Sequence, residues 1–294
     1  MNSIREEITG WFKELQGEVC RGIEELDPET PFHEDEWKRP GGGGGLSRII
    51  QHGKVFAKGG VNFSAVFGTM PQPVEELRDD KDNPFYATGV SIVMHPVNPK
   101  VPIIHMNVRY FESGDKSWFG GGIDLTPHYV NREEARDFHL ALKKCCDQFD
   151  ERYYSRFKVE ADNYFFIQHR NETRGVGGIF FDRLPITEIN MAFIKQVGKT
   201  FLPAYLPLVK ANRNASYSSR ELSWQKLRRG RYVEFNLVYD RGTRFGLETN
   251  GRTESILMSL PPEASWIYDY RPEPDSPEAK TLSFLKKNID WIHG

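Results

Sequence analysis

The stretch VPIIHMNVRYFE, residues 101–112, alternates between two kinds of side chain. Its even positions from 104 to 110 are bulky and mostly apolar, whereas its odd positions carry a polar row of His105, Asn107 and Arg109. Successive side chains of a β-strand point to opposite faces, so one face can fill a core while the other presents the polar row. The pattern therefore predicts a strand whose polar face meets a polar partner.

Two similar stretches flank this one: YATGVSIVMHP at 86–96 and SWFGGGIDLTP at 117–127. The connections PVNPK and SGDK are so short that they favour an antiparallel meander of three strands. In the third stretch, glycines separate Trp118 from Asp124, and such glycines usually mark a place where a ligand or another backbone approaches closely. If the registers align, Ser91, Asn107, Arg109, His105 and Asp124 share one face. The expected ligand is broad and flat, with carboxylates for Arg109 and hydrogen-bond donors for Asp124.

Each of these residues also has a simpler interpretation. A single arginine in a strand is commonly an edge or surface residue. Asp124, which precedes Leu-Thr-Pro, can cap a turn, and the glycines 120–122 can form a β-bulge.

The remaining patterns predict helices and further strands around this block. Helices are expected from the N-terminus to about Asp27, after Asn131, and over 188–202, 218–229 and 277–291. Further strands are expected at 54–68, 163–169, 177–184, 231–240, 243–249 and 255–262. We therefore predict one α+β domain over residues 1–294, built around a large, mostly antiparallel sheet.

Composition excludes several classes of function. The chain has 294 residues, with 39 basic and 41 acidic side chains that nearly cancel, so no partnership with nucleic acid is expected. The start of the sequence is charged where a signal peptide would be apolar, and no apolar run is long enough to span a membrane. The three cysteines form no disulfide or metal-binding pattern. We expect a soluble, cytoplasmic protein.

Other motifs give weaker signals. Gly41 to Gly45 is not followed by the Lys-Ser or Lys-Thr of a P-loop and is interpreted as a pliable loop, a candidate lid. No serine nucleophile elbow is present, and the adjacent Cys145 and Cys146 have no evident base. Four histidines lie in segments that can converge, and a divalent metal site made from them is possible but not required: His95, His105, His139 and His169.

Five blocks taken together resemble the oxygen-dependent coproporphyrinogen oxidases of haem biosynthesis. The blocks are KGGVNFS, HPVNPKVPIIHMNVRYFE, WFGGGIDLTP, RGVGGIFFDRL and YVEFNLVYDRGTRFGLETNGRTESILMSLPP, and they span nearly the whole chain in one order. The resemblance implies oxidative decarboxylation of two propionates of coproporphyrinogen III to vinyl groups, giving protoporphyrinogen IX. It implies molecular oxygen as oxidant, no organic cofactor, a sheet sandwiched between helical layers, and a homodimer whose contact includes the block from Tyr232 to Pro262.

The resemblance also implies roles for individual residues. Substrate contacts fall on Ser91, Asn107, Val108, Arg109, Asn250, Gly251 and Arg252. His105 matches a proposed proton donor, and Asp124 matches the carboxylate thought to engage the pyrrole NH groups. The four histidines above match proposed metal ligands of bacterial members. The chain departs from the family at Ala65 and Phe67, which replace histidines, at Arg183, which replaces an acidic residue, and at Asn250, which replaces a glycine.

A mechanism follows as a hypothesis. Asp124 promotes loss of a pyrrole proton, the electron-rich ring reacts with oxygen, and the resulting peroxide takes a hydrogen from the propionate as carbon dioxide leaves. Arg109 and Arg252 hold propionates. The alternatives are a four-histidine metal oxygenase and a porphyrin-binding protein without turnover.

Overall fold

The computed structural model describes residues 2–69, 84–248 and 251–294. Within these ranges the helices are α1 (Asn2–Glu24), α2 (Arg132–Asp147), α3 (Glu151–Tyr164), α4 (Glu188–Asn212), α5 (Ser219–Val238), α6 (Arg241–Glu248), α7 (Thr253–Leu257) and α8 (Pro277–Phe284). The strands are β1 (His33–Lys38), β2 (Gly43–Gln51), β3 (Phe56–Thr69), β4 (Pro84–Pro96), β5 (Ile103–Ser113), β6 (Lys116–Thr126), β7 (Phe166–Ile167), β8 (Glu172–Thr173) and β9 (Gly177–Pro185).

Seven strands form one antiparallel sheet in the order β1-β2-β3-β4-β5-β6-β9. The predicted three-strand meander is confirmed: β4 pairs with β5, and β5 pairs with β6, both antiparallel. The α+β class with a large antiparallel sheet is therefore confirmed. Strands β7 and β8 form a separate two-stranded sheet beside it.

The two faces of the sheet differ as the alternation in β5 predicts. The core face carries Ile104, Met106 and Val108, which are fully buried in the main hydrophobic cluster together with side chains of α1 to α4. The polar face carries His105, Asn107 and Arg109. One end of it is covered by α5, whose Tyr232 packs against residues of β4 and β5.

The glycine run is not a lid. Gly43 begins β2, and Gly44 and Gly45 pair with both neighbouring strands. Gly41 and Gly42 form the turn of the β1–β2 hairpin, where Gly42 has a positive φ of 115° that other residues rarely adopt. The expectation of a pliable loop was wrong because the hairpin connection is only the four residues 39–42, closed by a bond from the Gly42 N–H to the Arg39 carbonyl. Within β2, a side chain at Gly45 would collide with the Phe63 carbonyl.

The predictions were also wrong after residue 230. Residues 231–240 lie mostly in α5, the predicted strand at 243–249 is α6 as far as it is described, and the segment from Ser255 begins in α7. Other helix bounds also differ from the prediction. Helix α3 was not predicted, α4 continues beyond residue 202 through Pro203 and Pro207 to Asn212, and α8 ends at Phe284 and not near residue 291.

Among the described helices, none is long and apolar enough to cross a membrane.

Candidate active site

The polar face is a grid of polar side chains and glycines set by the strand registers. Two rows cross it from β2 to β6, and each row follows directly paired residues: Ser47, Asn62, Ser91, Asn107 and Gly122 in the first, and Gly45, Ser64, Gly89, Arg109 and Gly120 in the second. Next to them, Val93, His105 and Asp124 form a third row. The predicted sharing of one face by Ser91, His105, Asn107, Arg109 and Asp124 is thus observed.

Asp124 lies at the buried end of the polar face. Its two oxygens accept hydrogen bonds from Arg174 Nη2 at 2.7 and 2.8 Å, and Oδ1 also lies 2.9 Å from His105 Nδ1. Both Asp124 and Arg174 are only 1% exposed at the side chain. Burial alone raises the pKa of Asp124, but the charge of Arg174 and the bond to His105 outweigh it and hold the pKa below its ordinary value. Asp124 is therefore an ionised carboxylate that orients His105.

Three aromatic rings enclose the Arg174 guanidinium. Its carbon lies 4.4 to 4.6 Å from the ring centres of Phe165, Tyr232 and Phe235, a geometry that favours a cation. Two of these rings belong to the part of α5 after Arg229, so the segment that was predicted as a strand forms the wall behind Asp124. Arg174 Nη1 also donates to Asn236 of α5, at 3.1 Å.

His105 is the member of this group that reaches the open part of the face. Its side chain is 20% exposed, compared with 1% for Asp124. Nδ1 faces Asp124, which leaves Nε2 without a hydrogen bond in the described part of the chain. The arrangement can therefore pass a proton between a ligand on the polar face and the imidazole, with Asp124 fixing the ring.

Arg109 lies farther along the same face, above Gly120. Its Nη2 donates to Asp182 Oδ1 at 2.9 Å, and the second Asp182 oxygen lies 3.9 Å from Arg241 Nη2. A Cβ at Gly120 would come within 2.8 Å of both Arg109 Nε and Asp182 Oδ1. The glycine therefore makes the space in which this ion pair forms.

Arg252 approaches the other side of the polar face, from α7. It is the N-cap residue of α7 and forms an ion pair with Asp35 of β1, beside the Trp37 ring. Ser255 of α7 lies 3.0 Å from Ser47 Oγ, which docks the helix onto the first polar row. Gly251 bonds through its backbone to Gly246, and Asn250 lies outside the described residues.

Asn107 and Val108, two other predicted substrate contacts, point their side chains to opposite faces of the sheet. Asn107 Oδ1 is buried and has no hydrogen-bond partner among the described residues, so it is an acceptor available to a donor. Val108 is fully buried and points into the core face. Its side chain therefore cannot reach a ligand on the polar face.

The four histidines are not brought together. His95 is fully buried and lies 2.8 Å from the Ser259 carbonyl, while His139 bridges the Tyr154 hydroxyl and the Val176 carbonyl. His169 is bonded to Tyr239 and Glu234, neither of which is a partner of His105. Across the described ranges, no three His, Cys, Asp or Glu side chains are grouped as a metal site would need. These donors do not fit the metal centre that the sequence suggested, since each imidazole is committed to a different neighbour.

Three of the four family departures fall within the described residues, and these three lie outside the polar rows. Ala65 and Phe67 have the same parity in β3 as Val61 and Phe63, which are buried in the core, so their side chains point to the opposite face from His105. Arg183 follows Asp182 at the end of β9 with a positive φ of 54°.

Three site residues were missed by sequence reasoning: Arg174, Asp182 and Asp35. Asp182 carries a usable signal, because it has the same parity as Phe180 and Gly178 in a stretch that was predicted as a strand. Arg174 carries none, since it lies in the loop between β8 and β9 and only the tertiary fold brings it to Asp124.

The fold and this site together define an α+β protein whose sheet has a polar face, with glycines along its strands and arginines at its edges. The family model of coproporphyrinogen III oxidase matches residues 7–291. The oxygen-dependent coproporphyrinogen-III oxidase of Prochlorococcus marinus (strain NATL1A) is 47% identical over 95% of this chain and 88% of its own length. The Drosophila melanogaster enzyme of that name is 49% identical over 95% of this chain and 76% of its own. The chloroplastic Glycine max enzyme is 46% identical over 99% and 80%. The chain belongs to the coproporphyrinogen III oxidase family.

Proposed function

We propose that this protein is an oxygen-dependent coproporphyrinogen III oxidase that converts two propionates of coproporphyrinogen III to vinyl groups. The observation that carries the proposal is the order of groups along the polar face: the Asp124–His105 pair, the unpartnered Asn107 oxygen, and Arg109 above Gly120. A porphyrinogen has pyrrole NH donors at its centre and carboxylates at its rim. Acceptors and a guanidinium that follow one another on a single face of the sheet suit that ligand.

Some of these residues bind the substrate, and others transfer a proton. Arg109 and Arg252 bind propionates by charge-assisted hydrogen bonds, each worth about 1.5–3 kcal/mol where water is excluded. Asn107 accepts a pyrrole NH. His105, oriented by Asp124, exchanges a proton with the pyrrole, so that Asp124 acts through the imidazole instead of meeting the macrocycle directly. Ser91 lines the floor beside Asn107.

The redox balance needs only molecular oxygen. Each propionate loses carbon dioxide and the equivalent of a hydride as the carbon–carbon double bond forms, and oxygen accepts the two electrons. With one further proton, the oxygen leaves as hydrogen peroxide. We propose no organic cofactor and no step through a metal, and the protein supplies orientation and the exclusion of water.

The test is an assay of the purified protein with coproporphyrinogen III under air and under nitrogen. We expect oxygen-dependent release of two carbon dioxide molecules per substrate, and the same rate after exhaustive chelation. Binding without carbon dioxide release would support a porphyrin carrier instead, and activity lost on chelation and restored by one metal would support a metal oxygenase.

We further propose that the active protein is a homodimer of single-domain chains, with helices layered on both faces of the sheet. The apolar side chains Leu237, Val238, Trp266, Ile267 and Tyr268 are exposed, and Tyr268 is 99% exposed. Trp266 lies against α5 through a bond to Glu234, so these side chains extend the surface at the end of that helix. A monomeric mass in analytical ultracentrifugation at micromolar concentration would contradict the dimer.

A cytoplasmic location is proposed on the state of the cysteines. Cys20, Cys145 and Cys146 are all buried free thiols, and burial raises the pKa of Cys20 to about 12. Thiols of this kind suit a reducing compartment. Fractionation of the source cells with antibody detection tests the location.

A further inference from the structure

The two arginines proposed to bind propionates each already hold a carboxylate of the protein itself. Arg109 is paired with Asp182, and Arg252 is paired with Asp35. The carboxylates come from different strands, β9 and β1, at opposite sides of the sheet. A ligand carboxylate can therefore reach either guanidinium only by sharing it with, or displacing, an internal one.

The Arg109–Asp182 pair is built by the fold. Asp182 has the same parity as Gly178 and Phe180, which pair with Asp124 and Gly122, and it lies beside Gly120 where the β6–β9 register shifts. Its Oδ1 also accepts the backbone N–H of Arg183 at 3.1 Å. Gly120 leaves the space for both side chains. The side chains of Arg109 and Asp182 are 37% and 22% exposed, so the pair is open enough to exchange with a ligand.

We propose that Asp182 is a specificity-determining residue that competes with the substrate propionate for Arg109. This proposal rests on the proposed function. In the free protein the Asp182 carboxylate neutralises Arg109 through one hydrogen bond, and a tetrapyrrole gains a full ion pair with Arg109 only if it brings a carboxylate to replace that of Asp182. A macrocycle without a carboxylate at that position leaves the internal pair closed. When the propionate departs as carbon dioxide, Asp182 returns to Arg109 and weakens the hold on the product.

The test compares Asp182→Asn with wild type. Asparagine has the same shape and can keep the acceptor for the Arg183 N–H, but it no longer competes as an anion. Titration with coproporphyrin III, the non-reacting oxidised macrocycle, should show binding about fivefold tighter at fixed salt, as expected for loss of a half-exposed ion pair. The KM for coproporphyrinogen III should fall by a similar factor without a rise in kcat. Binding of coproporphyrin tetramethyl ester should not change.

The matched control is Glu34→Gln. Glu34 and Arg48 form an arginine–carboxylate pair at 2.7 Å on neighbouring strands of the same sheet, but on the core side of the register. We expect this variant to bind coproporphyrin III as wild type does. Asp182→Ser serves as a second variant, and thermal unfolding is measured for each.

Two results would overturn the proposal: unchanged or weaker coproporphyrin III binding in Asp182→Asn with an unchanged unfolding temperature, or the same gain in an Arg109→Ala background. A failure of the proposed function itself would give a different experimental result. If Arg109→Ala itself leaves kcat/KM unchanged, Arg109 does not hold a propionate and the assignment of the site fails. If Arg109→Ala lowers kcat/KM but Asp182→Asn binds no tighter, only the competition fails.

Discussion

Individual residues on the polar face differ mainly in how far each is removed from water. Asp124 and Arg174 are almost completely buried, His105 is partly exposed, and Arg109 is more exposed still. Electrostatic interactions strengthen as water is excluded, so the same charge has different consequences along the face. A substitution at the buried end should cost stability, whereas one at the open end should mainly cost substrate binding.

Replacement of Arg109 by alanine tests the open end. We expect a loss of at least about tenfold in kcat/KM, equivalent to 1.4 kcal/mol, because a charge-assisted bond to a propionate is removed. Steady-state kinetics with coproporphyrinogen III measure the loss. Arg48→Ala, on the core side of the sheet, is the control and should keep wild-type kcat/KM. Unchanged kinetics in Arg109→Ala would remove this side chain from the substrate site.

Replacement of Asp124 by asparagine tests the buried end. The change leaves the Arg174 cation buried among three rings without its anion, so we expect the free energy of unfolding to fall by about 3 kcal/mol at pH 7. The folded pKa of Asp124 lies below its unfolded value, so its contribution to stability is present above about pH 4 and is lost as the pH falls through the folded pKa. The difference between variant and wild type should therefore shrink in acid.

Urea unfolding across this pH range measures both effects of Asp124→Asn. The double variant Asp124→Leu with Arg174→Met removes the two charges together and should be more stable than Asp124→Asn, because no uncompensated ion remains. If Asp124→Asn were as stable as wild type, the carboxylate would not be the partner that holds Arg174.

At the scale of elements, the packing around glycines separates positions that look alike in sequence. Gly10 in α1 is exposed, and an added Cβ would meet nothing within 4 Å. Gly198 in α4 is buried, and the same Cβ would lie 2.6 Å from the Trp11 ring and 2.8 Å from Leu15. Both glycines are in helix interiors, where glycine lowers stability relative to alanine.

Alanine at these two glycines should therefore have opposite effects. We expect Gly10→Ala to raise the free energy of unfolding by about 0.5–1 kcal/mol, because it removes backbone freedom from the unfolded chain. Gly198→Ala should lower it by about 1–3 kcal/mol, because the helix packing of α1 and α4 must open. Urea unfolding measures both, and a stabilised Gly198→Ala would show that α1 and α4 are not so closely packed.

At the scale of the whole molecule, buried neutral histidines should limit stability in acid. Burial lowers the pKa of His139 to about 4 and of His128 to about 3, and both side chains are fully buried. The unfolded chain binds protons on these groups near pH 6.5, so their contribution to stability is full above that pH and is lost as the pH falls towards 4 and 3. For His139 the loss is on the order of 3 kcal/mol.

Unfolding in urea between pH 7 and pH 4.5 checks this prediction. Wild type should lose stability steadily over that range, and His139→Gln should lose less over the same range because one buried titrating group is gone. His33→Gln, at an exposed position of β1, should keep the wild-type slope. Equal slopes in all three proteins would mean that His139 titrates alike in the folded and unfolded chains.

The sequence by itself determined the parts of this protein whose pattern is local. Alternation in β4, β5 and β6 determined the meander and its two faces, and the Asn131 cap with Glu133 and Glu134 determined the start of α2. The long matching blocks determined the family. These signals depend on neighbours in the chain, where side-chain direction and hydrogen bonding follow directly from residue order.

Only the tertiary structure decided the segment after Arg229 and the pairing of charges. Residues 231–240 alternate like a strand, yet the capping box at Ser218 starts a helix that continues to Val238, because Tyr232, Phe235 and Asn236 bury one side of it over Arg174. Likewise, only the register places Asp182 on Arg109, and only a loop brings Arg174 to Asp124. The physical reason is that burial and charge pairing depend on groups that are distant in the chain, so their energies do not exist until the sheet has formed.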